Sequence, residues 1–225
     1  MQVFYQDEHL AVVCKPYGAL SEAHESKPNM PAMLREELGC EAIYTVHRLD
    51  RITQGLMVYA KTAEAAKRLS AMMQKGEVEK IYHAVAEGIP DPRSGAMEDL
   101  LYFDRQKNKS YVVKRERRGV KQARLTYETL DTVLIDDMPV SLVKVRLHTG
   151  RTHQIRVQFA SRKMPLAGDR RYGSRFTDEE IMLCSAQLRF THPFTGEEMR
   201  FAHYPDTVLT SLFRQVYQEL DKVNR

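Results

Sequence analysis

Short apolar runs with the two-residue period of β-strands recur from one end of this chain to the other. Only a few stretches of helical period interrupt them, and the two kinds do not alternate regularly. The strand-like runs fall at residues 3–5, 10–14, 56–60, 80–87, 123–130, 140–147, 187–191 and 198–203. A helix is expected to start at Asn29-Met30-Pro31 and end at Gly39, where Pro in the first turn and Gly past the last are favourable. Another follows Thr62, with Ala66, Leu69 and Met73 at helical spacing. Residues 153–160 read as a third. Residues 207–220 read as a terminal amphipathic helix with Leu209, Leu212, Phe213, Val216 and Leu220 on one face. This mixture favours an α+β fold over a doubly wound sheet. With no repeat, low-complexity tract or Gly/Ser linker, residues 1–225 are expected to form a single domain, long enough for a sizeable core.

Composition removes several classes. Hydrophobic residues at 43% and charged residues at 28% argue against wholesale disorder. No apolar run approaches the roughly 20 residues that span a bilayer. The opening MQVFYQDEHL lacks a basic cluster followed by an apolar block, so the cytoplasm is the expected compartment. Cys14, Cys40 and Cys184 are far apart and form no CxxC, which speaks against a disulfide framework or a cysteine zinc site. No GxGxxG, P-loop, HExxH or GxSxG occurs, so neither a nucleotide cofactor, nor a metal, nor a serine nucleophile is expected.

Charge is unevenly spread. Between residues 105 and 124 stand Arg105, Lys107, Lys109, Lys114, Arg115, Arg117, Arg118, Lys121 and Arg124, against Glu116 alone. Such a run is either a solvated hairpin or the electrostatic footprint of a polyanion.

Three segments carry candidate chemistry. In His47-Arg48-Leu49-Asp50-Arg51-Ile52-Thr53-Gln54-Gly55, Asp50 sits between two arginines in a turn-like stretch. Nearby cations favour the ionised carboxylate, the form a nucleophile or base needs. Gly55 permits close backbone approach. In His148-Thr149-Gly150-Arg151-Thr152-His153-Gln154-Ile155-Arg156, Gly150 ends a strand and places Arg151 near a helix start. A cation there is unfavourable for the helix, which suggests an anionic partner. In the strand around Tyr82, period two puts Ala84 and Ala86 on the same face, leaving room for a flat ligand on the ring. Each segment also has a plain structural explanation: a capped turn, a solvent-facing arginine, a half-buried tyrosine.

Taken together, these segments resemble the RluA family of pseudouridine synthases. The resemblance runs in the family's order through Lys15-Pro16-Tyr17-Gly18, the HRLD block at 47–50, Lys80-Ile81-Tyr82, the GRTHQIR block at 150–156, Gly168-Asp169-Arg170-Arg171-Tyr172-Gly173 and Phe190-Thr191-His192-Pro193. The chain departs from the pattern at Gln54, where Ser is usual, and at Cys184-Ser185-Ala186, where a histidine often precedes the alanine. The resemblance implies a bent, mixed, mostly antiparallel sheet flanked by helices, with a central catalytic cleft. The family often carries an N-terminal S4 domain, and with motifs beginning at Lys15 none is expected here. It implies a cofactor-free and metal-free isomerase that converts uridine in ribosomal or transfer RNA to pseudouridine. By motif match Asp50 is the catalytic aspartate, Tyr82 the tyrosine that stacks on the base, and Arg151 the basic partner of Asp50. The same match implies that Arg48 helps displace the target base, and His47, Thr53, His153, Gln154 and Arg156 are expected to contact the substrate. Arg105, Lys107, Lys109, Lys114, Arg115, Arg117, Arg118 and Lys121 then read as RNA backbone contacts. A monomer with RNA as partner and no membrane association is expected.

Two other readings compete. One is an RNA-binding protein with a vestigial site, against which the intact Asp50, Tyr82 and Arg151 argue. The other is a hydrolase using Asp50 with a histidine, which lacks any supporting motif.

Overall fold

The computed structural model describes residues 1–176, 180–204 and 211–223. The chain divides into two compact units, one of residues 1–80 and 184–204, the other of residues 81–183 and 205–225.

In the first unit, β1 (Val3–Gln6) and β2 (Leu10–Lys15) form the expected antiparallel hairpin. Asp7 closes it, its Oδ1 accepting from the His9 and Leu10 amides at 2.8 and 2.7 Å. Helix α1 (Met30–Leu38) is capped by the Asn29 side chain, which accepts from the Ala32 amide, and ends at Gly39 in the left-handed region. Strand β3 (Tyr44–Thr45) pairs with β4 (Gln54–Ala60), which also runs antiparallel to β2. Helix α2 (Ala63–Lys75) follows its Thr62 cap as the sequence predicts.

Alternation divides β4 between two faces. Leu56, Val58 and Ala60 join Leu10, Val12, Ala65 and Leu69 in a core under α2. Met57 and Tyr59 point the other way, toward the segment that precedes Asp50: the Tyr59 hydroxyl donates to the Ser21 carbonyl at 3.0 Å, and the Ser21 hydroxyl lies 3.5 Å from Met57 Sδ. A strand buried on both faces therefore supports the Asp50 turn from behind.

Later in the chain come β10 (Leu183–Thr191), parallel to β4, and β11 (Glu198–Ala202), antiparallel to β10. At the β4–β10 seam Gly55 has φ +117, and a Cβ there would stand 2.4 Å from the Ser185 carbonyl oxygen. Close backbone approach therefore demands this glycine.

In the second unit β5 (Glu79–Glu87), β6 (Ser94–Asp104), β7 (Lys109–Val113), β8 (Val120–Ile135) and β9 (Met138–Leu147) lie in the order β5-β9-β8-β6-β7, every neighbour antiparallel. Asp136 and Asp137, both with positive φ, make the two-residue β8–β9 turn. Helix α3 (Gln154–Ser161) packs Val157 on Leu101 and Ala123. Helix α4 (Arg214–Val223) places Phe213 and Tyr217 inward at and near its start.

The chain is thus α+β, with mostly antiparallel strands. Several expectations need correction. The basic run is not one hairpin: its residues divide among two turns, at 105–108 and 114–119, and the strands β7 and β8 beside them. Strand β5 does not alternate in burial, because Ile81 through Glu87 are all buried. His153 is not helical but precedes α3 with φ 55. Of the expected terminal helix, Thr207 and Leu209 lie outside the described residues. Among the described residues no helix is long and apolar enough to cross a membrane.

Candidate active site

The turn that carries Asp50 is built from its neighbours. Ser21 Oγ donates to the Leu49 carbonyl and accepts from the Leu49 amide, both at 2.9 Å. Ser21 is itself fixed, since the Thr45 and Tyr59 hydroxyls donate to its carbonyl. Burial pushes the Tyr59 phenol far above its ordinary pKa, so it remains a donor. One residue on, the Asp50 carbonyl accepts from the amide of buried Thr53 at 2.9 Å, closing a tight turn. His47 holds the near side. Its Nε2 accepts from the Val58 amide at 3.1 Å, and burial beside Lys80 pushes its pKa down to about 3, so the ring is neutral.

A buried cation beside this turn was not singled out in the sequence. Lys15, fully buried at the end of β2, donates to the carbonyls of Ala19 (2.7 Å), Pro16 (3.0 Å) and Arg51 (3.2 Å). The Gly18 amide shares the Arg51 carbonyl. Burial pushes the Lys15 pKa down to about 8, while the charge of Asp50 works the other way and favours the ammonium. The flanking arginines behave differently: Arg48 is exposed and pairs with Glu22 at 3.1 Å, and Arg51 is exposed. A lysine within an apolar strand run, just before Pro16-Tyr17-Gly18, was the signal available in the sequence.

In the second unit Tyr82 is 5% exposed on β5 opposite Val145, and Ala84 and Ala86 on its face are fully buried. No room is left over those two alanines. Arg151 is half-buried in the loop after β9, its Nε donating to the Gln122 carbonyl at 2.9 Å.

Three further residues of the GRTHQIR block are enclosed by the fold. Gln154, His153 and Arg156 are buried. Arg156 makes a two-pronged ion pair with Asp169, at 2.7 and 2.8 Å, with both side chains out of solvent. His153 Nδ1 lies 3.1 Å from the Tyr172 hydroxyl, which also accepts from the Ser110 amide. Burial raises the Tyr172 phenol to about 12, so it is neutral. Asp169 and Tyr172 belong to the GDRRYG segment, whose place in the scaffold the sequence alone did not assign.

Of the basic run, Arg105, Lys107, Lys114, Arg115, Arg117, Arg118 and Lys121 are exposed. Lys109 differs: half-buried, it donates to the Arg171 carbonyl at 2.8 Å and lies 5.0 Å from the centre of the Tyr172 ring. Arg117 stacks on Tyr102 at 4.7 Å.

A family model described as RNA pseudouridylate synthase matches residues 9–161, a stretch that takes in the Asp50 turn, Tyr82 and the Arg151 loop. The chain belongs to that family. This synthase is an enzyme that isomerises uridine in RNA, and the RluA resemblance read from its motifs is borne out. It is 34% identical to an uncharacterized RNA pseudouridine synthase of Aquifex aeolicus (strain VF5), over 99% of this chain and 73% of the other. It is 29% identical to tRNA pseudouridine synthase C of Vibrio parahaemolyticus, over 95% and 94% of the two chains. Among solved structures, human RNA pseudouridylate synthase domain containing 4 superposes with a TM-score of 0.76 at 22% identity, covering 96% of the synthase and 92% of the human chain. Human RNA pseudouridylate synthase domain containing 1 gives 0.77 at 24% identity, covering 93% and 85%. These two likenesses establish the fold.

Proposed function

We propose that this synthase isomerises a uridine of transfer RNA, with Asp50 as the nucleophile, Tyr82 stacking on the flipped base and Arg151 as the basic partner. The whole chain is read as one catalytic domain, monomeric and cytoplasmic. The observation that carries the assignment of Asp50 is its turn: Ser21 pins the residue before it, Lys15 pins the residue after it, and Thr53 closes the loop. A backbone held so firmly presents the Asp50 side chain from a fixed point, which lowers the cost of orienting it for reaction. The choice of transfer RNA is supported by relatives called tRNA pseudouridine synthase C that match nearly end to end.

The chemistry asks little beyond this. The C1′–N1 bond breaks, the base turns, C1′–C5 forms, and the C5 proton leaves for a base while N1 regains a proton. No electrons are gained or lost overall. Extruding the uridine costs a few kcal/mol. Stacking on an aromatic ring returns about 1–3 kcal/mol per base, and phosphate contacts from the exposed part of the basic run add to it.

Tritium release from transfer RNA labelled at uridine C5 tests the reading. Release without chain cleavage supports it. Release from labelled ribosomal RNA alone, with transfer RNA inert, would overturn the substrate choice.

A further inference from the structure

We infer that Gln154 is a positioning residue for Arg151, tying the loop after β9 to strand β8 through one side-chain amide. The inference rests on the reading of Arg151 as part of the catalytic machinery. Gln154 opens α3 and is 3% exposed. Its Oε1 accepts from the Arg151 amide at 3.0 Å and from the Thr149 hydroxyl at 2.8 Å, which fills both lone pairs. Its Nε2 donates to the Arg124 carbonyl at 3.1 Å. The Thr149 hydroxyl in turn accepts from the Arg124 amide at 2.9 Å.

Arg151 is thereby fixed at three points. Its amide goes to the Gln154 side chain and its carbonyl accepts from the Gln154 amide at 3.0 Å. Its Nε goes to the Gln122 carbonyl. Gln122 and Arg124 both lie on β8, so one strand sets the backbone and the side chain of Arg151 together. A side-chain amide suits this place because one end accepts while the other donates. An ionised carboxylate has no proton for the Arg124 carbonyl, and a thioether has none either. The substrate contact expected of Gln154 gives way to a role in holding another residue.

The test compares kcat and KM for RNA, by tritium release, in the wild type, Gln154→Met, Arg151→Met and the double variant, with melting temperatures measured alongside. Gln154→Met should lower kcat about 10- to 100-fold with KM within about threefold. The double variant should be no slower than Arg151→Met. Multiplying losses in the double variant, or a loss that only tracks melting, overturns the inference. Gln154→Glu gives a second readout, and carries the test alone if Gln154→Met does not fold. Its protonated form restores donor and acceptor, whereas its ionised form turns an oxygen on the Arg124 carbonyl. Its kcat relative to wild type should therefore fall as pH rises, and a flat ratio overturns the proposal. Full activity in Arg151→Met overturns the reading of Arg151 and this inference with it. An impaired Arg151→Met beside an intact Gln154→Met overturns the inference alone.

Discussion

Ser21 and Leu49 exchange two hydrogen bonds of 2.9 Å through one hydroxyl group, which fixes both backbone groups of the residue just before Asp50. The bonds are buried. Ser21→Ala leaves an amide and a carbonyl unpaired, at a cost of about 1–3 kcal/mol for each group left without a partner. Chemical denaturation should show that loss of stability. At a temperature where the variant is folded, kcat should fall with little change in KM, because the turn loosens and the RNA surface does not.

Lys15 yields a prediction in pH. In the folded chain its pKa is held down to about 8, against about 10.5 for an ordinary lysine. Between these values the unfolded chain binds more protons than the folded one, so this group's contribution to stability rises as pH increases through that window. Below about pH 8 both states carry the proton and its contribution is constant. The stability of wild type minus that of Lys15→Met should therefore climb from pH 8 to pH 10, as read from melting curves. A difference that declines over that range contradicts the burial of this ammonium.

Arg156 and Asp169 form a pair that solvent does not reach. Removing one partner strands the other charge, which costs about 3–5 kcal/mol. Arg156→Met and Asp169→Asn should each lower the melting temperature strongly, and for like reasons, so the double variant should lose less than the sum. A variant that melts like wild type yet binds RNA poorly would return Arg156 to the substrate.

The basic run divides by exposure. Replacing Lys114, Arg115, Arg117 and Arg118 with glutamine should weaken RNA binding and flatten its salt dependence, by about 0.7–0.9 in the log–log slope for each phosphate no longer neutralised. Filter binding across a salt series measures this. Lys109→Gln should instead lower stability, since its ammonium is spent on the Arg171 carbonyl and the Tyr172 ring.

Local signals carried well from sequence to structure. Asn29 and Thr62 cap their helices, Gly39 ends one, and Gly55 is where two backbones nearly touch. Each depends on a few neighbouring residues, or on a glycine whose reason is steric. Contacts between distant segments were not legible. That Ser21 clamps Leu49, or that Asp169 neutralises Arg156 in the core, follows from chain topology and leaves no periodicity behind. Charge is the least legible signal, because adjacency in sequence puts Asp50 between Arg48 and Arg51 and says nothing of more distant cations. Arg48 pairs with Glu22, and a buried ammonium beside the turn belongs to Lys15, many residues earlier. The split of Lys109 from its basic neighbours is likewise a matter of strand position.

The account stands on Asp50. The most direct test is single-turnover tritium release from C5-labelled transfer RNA by Asp50→Asn, with RNA affinity measured on the same preparation. The change removes the charge and keeps the shape. The expected result is an RNA dissociation constant within about threefold of wild type and no detectable release, as befits loss of the reacting group itself. Release at a rate near wild type would mean that another residue performs the chemistry.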